Sequence, residues 1–424
     1  MKYQQFIFKN YSFDAPAKTL TLQYGYDDAL TLTETYKFDF DYVSYSPQAL
    51  DQALQSLFFM AGVSYYKAFL APQITVQNGT LSPSDANFLS QTYQNGLGEF
   101  FYVNKLDPRT PVNLPTNGQT QLDQNTGNGL LVGLGGGKDS LVSVELLRGQ
   151  PKVATWSVGH KKQLQPLVDQ IGLPHFWVDR QWDRQMLEIN NSGAYNGHVP
   201  ISAILAAAGA VVAILAGYQD VIVSNENSAN EPTLNYQGLD INHQYSKSLA
   251  FEQAFQGYLQ EHFGDSLRYY SFLRPLSELH IAEQFAQYFD KYHAVFSSCN
   301  KAFTHDSPGL FWDGICSKCA FVFLALTPFV ERSKLESLFS GKNLLLDPEL
   351  ESTYKQLLGI EGDKPLECVG EIKESRAAMQ LAQKIYPELV KYNFNLPEDY
   401  DYKALAAHNM PEDLYKIIEQ TFLA

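Results

Sequence analysis

The segment Gly133-Leu-Gly-Gly-Gly-Lys-Asp-Ser140 gathers, in eight positions, what an anion site needs. Glycines let the backbone approach a phosphate closely, and successive N–H groups can converge on it. Lys138 adds a full positive charge and Ser140 a hydroxyl donor. Two commoner glycine motifs fail here. A Walker A loop requires glycine at position 132 and Ser or Thr at 139, where this chain has Val132 and Asp139. A G-x-G-x-x-G dinucleotide fingerprint requires glycine at 138, which is Lys138.

Further polar groups stand outside the loop, and each also has a plain structural reading. Asn225, Glu226 and Asn227 follow a short apolar run, either on the ligand side of a strand end or as a polar capping loop. His243, Tyr245, Ser246 and Lys247 are packed just before a helix. Lys247 suits a carboxylate or phosphate, while the whole set also suits a helix start. Arg274 suits bidentate anion binding or a structural ion pair. Cys316 and Cys319 form a CxxC, and with Cys299 and either Asp313 or Cys368 could complete a tetrahedral zinc site. Cys368 could also exchange an α-proton if its thiolate is stabilised, or be a small buried residue. Glu367, Glu371, Lys373, Glu374 and Arg376 surround it in sequence and offer alternatives.

The elements that must position these groups change along the chain. Residues 1 to about 45 alternate apolar and polar side chains, as in KTLTLQYGY and LTLTETYKFDF, around a turn at Tyr26-Asp-Asp28. That period predicts antiparallel strands. Leu50, Leu54 and Phe58 predict a helix within 47–70. The stretch 106–129, rich in Pro, Asn, Gly and Thr, reads as a linker or exposed loop. After it, GLLVGL, KVATWSV, PHFWVD and DVIVS alternate with helical stretches, which predicts a parallel sheet covered by helices. The tail is helical in pattern. The expected division is 1–115 (β-rich with helices), 128–330 (nucleotide domain) and 331–424 (helical), giving an α/β protein.

Composition narrows the function. A net charge of −15 with no Lys/Arg-rich run argues against nucleic acid or an anionic membrane surface as partner. Val199 to Gln219 carries no charge, and its Ala/Gly content and abrupt passage into DVIVS predict a buried helix rather than a membrane span. The N-terminus lacks a basic segment followed by an apolar core, so a cytoplasmic location is expected.

With strand, glycines, Lys-Asp-Ser and helix in this order, the loop resembles the PP-loop signature of the ATP pyrophosphatases, with Gly135 at the usual first Ser. Beyond it, NGHVPISAILA (from 196), VIVSNENSANE (221–231), NHQYSKS (242–248), LRPLSELHIA (273–282), SCN (298–300), CSKCAFVFLALTPF (316–329) and KPLECVGEIKESRAA (364–378) together resemble the UDP-N-acetylmuramoyl-L-alanyl-L-glutamate epimerases, the MurL family. The chain departs from that pattern at Glu231-Pro232-Thr233 and at Asp313, where a Cys is expected.

The resemblance implies a PP-loop (adenine nucleotide alpha hydrolase-like) domain and ATP-dependent epimerisation of a UDP-muramoyl dipeptide in peptidoglycan precursor synthesis. Gly135, Gly136, Gly137, Lys138, Asp139, Ser140, Asn225 and Glu226 would hold Mg-ATP, with Asp139 on Mg2+. His243, Tyr245, Lys247, Arg274 and Arg376 would hold the substrate. Read from the residues themselves, Lys138, Asp139, Lys247, Cys368 and Glu371 are the candidates to carry the chemistry, and Cys299, Cys316 and Cys319 are candidate zinc ligands. The alternatives are another adenylating enzyme (amide ligase, deazaguanine synthase or sulfur transferase) or a non-catalytic nucleotide sensor.

Overall fold

The computed structural model describes residues 2–304, 307 and 309–423. Among the described residues eleven strands run in chain order: β1 Gln5–Asp14, β2 Thr19–Tyr26, β3 Leu30–Phe38, β4 Gln73–Val76, β5 Leu130–Gly133, β6 Val153–Val158, β7 His175–Gln181, β8 Asp220–Val223, β9 Leu234–Tyr236, β10 Leu239–Ile241 and β11 Arg268–Ser271. Nine of them form one sheet, in the order β11-β8-β5-β6-β7-β3-β2-β1-β4, and β9 and β10 form a separate hairpin.

Five strands, β11, β8, β5, β6 and β7, pair in parallel. The apolar runs of β5, β6, β8 and β11 are buried, as expected of strands covered on both faces, while in β7 only Val178 is. The N-terminal strands extend this sheet: β3 pairs antiparallel with β7, Phe38 opposite Val178, and β1 to β3 form the meander read from the alternating pattern. The architecture is thus mixed α/β, with strand-rich N-terminal and helical C-terminal ends. The chain runs from β5 outward to β6 and β7, then returns to place β8 and β11 on the other side of β5. That reversal makes the carboxyl ends of β5 and β8 a topological switch point, where open α/β sheets leave a crevice.

The uncharged segment forms the helix Ile201–Ala216, buried in the core. Gly209 lets it lie against the sheet: a Cβ there would meet Val221 Cγ1 at 2.7 Å and Trp156 Cζ2 at 2.8 Å. Among the described residues no helix is long and apolar enough to cross a membrane. Three C-terminal helices, Glu278–Ala286, Ser317–Leu326 and Ile372–Gln383, pack together beside the helix Lys138–Leu147 that follows β5.

Candidate active site

A cavity of about 480 Å³ opens at the switch point. The phosphate-type loop forms one wall. Gly137 precedes the helix Lys138–Leu147 in extended conformation, and no side chain caps that helix start, so its free N–H groups and partial positive charge are available to an anion. Gly135 faces open space. Gly136 has φ +90°, and a Cβ there would lie 2.8 Å from Phe303 Cζ and 3.2 Å from Ser297 O. Only glycine fits that turn, which brings the loop against residues 297–303. Ser140 lines the cavity and donates to Gly137 O at 3.1 Å.

Lys138 is buried and ion-paired with both Asp139 and Glu278. Burial works against its charge, but the two carboxylates outweigh it and hold the ammonium protonated. Burial, together with Asp139, pushes the Glu278 carboxyl well above its usual range. Glu374 fixes the floor: one oxygen accepts from Glu278 N–H and the other from Glu371 N–H, both at 2.9 Å. Burial and Glu371 raise the Glu374 carboxyl to about 8. Asn225 and Glu226, at the end of β8, also face the cavity.

A second cluster borders the same space. Lys247 Nζ lies 3.2 Å from Cys368 Sγ. His243 is close enough to Cys368 for each to bear on the other's charge, and its Nδ1 pairs with Glu99. The ring of His198 lies 4.5 Å from that of His243, centroid to centroid, and its Nδ1 is 3.7 Å from Glu99 Oε2. Burial pushes the Cys368 thiol up, but Lys247, His243 and Lys318 more than offset this and bring it to about 6. Burial pulls His243 down, and Cys368 and Glu99 reverse this, raising it to about 9. Between those values the pair is a thiolate beside an imidazolium. His198 is lowered to about 4 by burial and by the neighbouring His243, so it is neutral there.

Cys299, Asp313, Cys316 and Cys319 bring one ligand atom each within 4.8 Å of one another. Cys316 Sγ and Cys319 Sγ are 3.4 Å apart, and Cys319 Sγ is 3.1 Å from Asp313 Oδ1. Zn–S bonds of about 2.3 Å in a tetrahedron set S···S spacings of roughly 3.8 Å, so the four groups fit such an ion after small adjustments. Of the two residues considered for a fourth ligand, Asp313 is brought to this cluster. Cys368 stands in the cavity beside Lys247 instead.

The structure gathers Gly135, Gly137, Lys138, Asp139, Ser140, Asn225, Glu226, Lys247 and Cys368 around one cavity; His243 is outside its lining but bears on the Cys368 thiol. It does not bring Arg274, Arg376, Tyr245 or Glu371 to its lining. Arg274 is fully buried; it pairs with Glu252 at 3.0 Å and donates to the carbonyls of Glu226, at 2.6 Å, and Lys247. Its guanidinium therefore fixes two cavity residues through their backbones. Arg376 donates to Leu358 O and Asn395 O, both at 2.8 Å. Tyr245 packs edge-on against Phe251. Glu371 caps the helix Ile372–Gln383.

The sequence by itself assigns no functional role to Glu99, His198, Glu278 or Lys318. No local signal marks Glu99, which comes from the short helix Gly98–Val103.

An anion cradle and an activated thiol sharing one cavity at the switch point of an α/β sheet define an enzyme. The chain belongs to the MurL family of epimerases. The family model described as the MurL N-terminal domain matches residues 1–272, and that described as the MurL C-terminal domain matches residues 295–388. A relative from Xanthomonas oryzae pv. oryzae (strain MAFF 311018), named UDP-N-acetyl-alpha-D-muramoyl-L-alanyl-L-glutamate epimerase, is 40% identical over 385 residues, spanning 88% of this chain and 84% of its own length. Relatives of the same name from Salinispora tropica (38% identical, 89% of this chain and 84% of the relative) and Micromonospora sp. strain ATCC 39149 (39%, 78% and 75%) agree. No solved structure matches the chain.

Proposed function

We propose that this protein inverts the terminal L-glutamate of UDP-N-acetylmuramoyl-L-alanyl-L-glutamate to D-glutamate, using ATP to form an acyl-adenylate and releasing AMP and pyrophosphate. The observation that carries this reading is that the glycine loop and the Cys368–Lys247–His243 cluster share one cavity. The name borne by the relatives supplies the substrate.

The chemistry needs both halves. An α-proton beside a carboxylate is very weakly acidic, because its removal would place a second negative charge there. Adenylation removes the first charge. The loop glycines, Lys138 and Ser140 would hold the phosphates, and Asp139 the Mg2+ that accompanies ATP and neutralises the leaving pyrophosphate. Trp156, Val158 and Leu205 provide an apolar side suited to a flat base. A group of the Cys368–Lys247–His243 cluster would take the proton and return it.

Zinc at Cys299, Asp313, Cys316 and Cys319 would be structural. Ser298, Asn300 and Lys318, interleaved with these ligands, line the cavity wall, so the ion would fix that wall.

The test is incubation with Mg-ATP and the L-glutamate substrate in deuterated water. D-glutamate bearing α-deuterium, formed only with ATP, supports the reading. Pyrophosphate release without inversion would move the protein to another adenylating activity. Nucleotide binding without cleavage would make it a sensor.

A further inference from the structure

The second cluster contains more than proton exchange requires. A lone base needs only a suitable affinity for the proton. Here a cysteine has an ammonium 3.2 Å from its sulfur, and the histidine whose charge bears on that thiol is itself held by a carboxylate, Glu99. A nucleophile hydrogen-bonded to a base that a third group orients is the arrangement of covalent acyl transfer. Cys368 Sγ also opens onto the cavity that holds the phosphate-type loop, where an activated acyl group would be made.

We propose that Cys368 is a nucleophile that takes the acyl group from the adenylate, so that the α-proton is exchanged on a glutamyl thioester. This rests on the ATP-dependent reading above. In the first step Sγ attacks the acyl carbon, a C–S bond forms, the C–O bond to phosphate breaks, and AMP leaves with the electron pair. In the second, Lys247, having lost its own proton to solvent once the thiolate charge is gone, takes the α-proton, the C–H electrons delocalise into the thioester carbonyl, and the His243 imidazolium gives a proton to the opposite face. Sulfur donates poorly to a carbonyl, so the thioester acidifies the α-position. In the third, the neutral His243 takes a proton from water, the oxygen attacks the acyl carbon, the C–S bond breaks, the second water proton passes to solvent, and the thiolate and the product carboxylate are released. The sum is ATP and water to AMP and pyrophosphate, with no change of oxidation state.

The surroundings fit this order. Cys368 is among the charges that keep Lys247 and His243 protonated. Acylation removes that charge, so both release a proton more readily while the α-carbon is beside them. Glu99 is then a positioning residue, acting through His243.

The experiment is rapid acid quench of the full-length enzyme during the first turnover with Mg-ATP and UDP-N-acetylmuramoyl-L-alanyl-L-glutamate, followed by peptide mass spectrometry. The expected result is a substrate adduct on the peptide bearing Cys368, released by hydroxylamine as the hydroxamate. It should be more abundant in His243→Ala, which lacks the base for deacylation. Cys368→Ser should release a first equivalent of pyrophosphate without a thioester adduct. Normal release of pyrophosphate and AMP by the wild type, with no adduct in the wild type or in His243→Ala, would overturn the proposal. An adduct on a different residue would overturn it too. If the wild type releases no pyrophosphate, the ATP-dependent reading fails, and the thioester falls with it.

Discussion

Lys247 Nζ stands 3.2 Å from Cys368 Sγ, joining the segment before helix Leu249–Phe263 to the segment before helix Ile372–Gln383. The contact places a positive charge against a thiol that burial alone would keep protonated.

Activity should therefore follow a bell in pH. The thiolate form of Cys368 is present above about 6 and lost below it, and the imidazolium form of His243 is present below about 9 and lost above it. Lys247→Met removes a charge that favours the thiolate, so the acid limb of kcat/KM should move up in pH. An unchanged limb would show that Cys368 is not the group titrating.

Glu99→Gln should move the opposite limb. The carboxylate favours the charged imidazole, so its loss should bring the alkaline limb below about 9. A purely structural Glu99 would lower stability without shifting either limb, and a pH profile beside a thermal melt separates the two.

Lys138→Ala should reduce pyrophosphate release by roughly 100-fold or more, the scale of losing one donor aimed at developing negative charge. The fold should survive, because burial favours the neutral form of the Glu278 carboxyl once its ammonium partner is gone. Circular dichroism would check the fold. Full activity with unchanged ATP affinity would remove the loop from the account.

Metal analysis should find about one zinc per chain, the capacity of a single four-ligand cluster. A chelator, or Asp313→Ala, should lower the melting temperature and weaken nucleotide binding, because the ligands bracket cavity-lining Ser298, Asn300 and Lys318. Metal-free protein of unaltered stability would contradict this.

What could be read from the sequence was local. The glycine loop is contiguous, and its position between an apolar run and a helix fixes its geometry. The N-terminal strands were visible through their alternation, but not the sheet they join, since that depends on β3 pairing with β7. The two arginines show the limit most clearly. A guanidinium suited to an anion is equally suited to backbone carbonyls, and Arg274 and Arg376 found those of Glu226, Lys247, Leu358 and Asn395. Glu99 reaches His243 only through tertiary packing, and no spacing rule spans that separation.

The central claim is that inversion of glutamate is coupled to cleavage of ATP. It is tested most directly by counting AMP against D-glutamate in one reaction with the L-glutamate substrate. The account predicts no inversion without ATP, and at least one AMP and one pyrophosphate for every D-glutamate formed. Inversion at the same rate without ATP, or without AMP appearing, would contradict it.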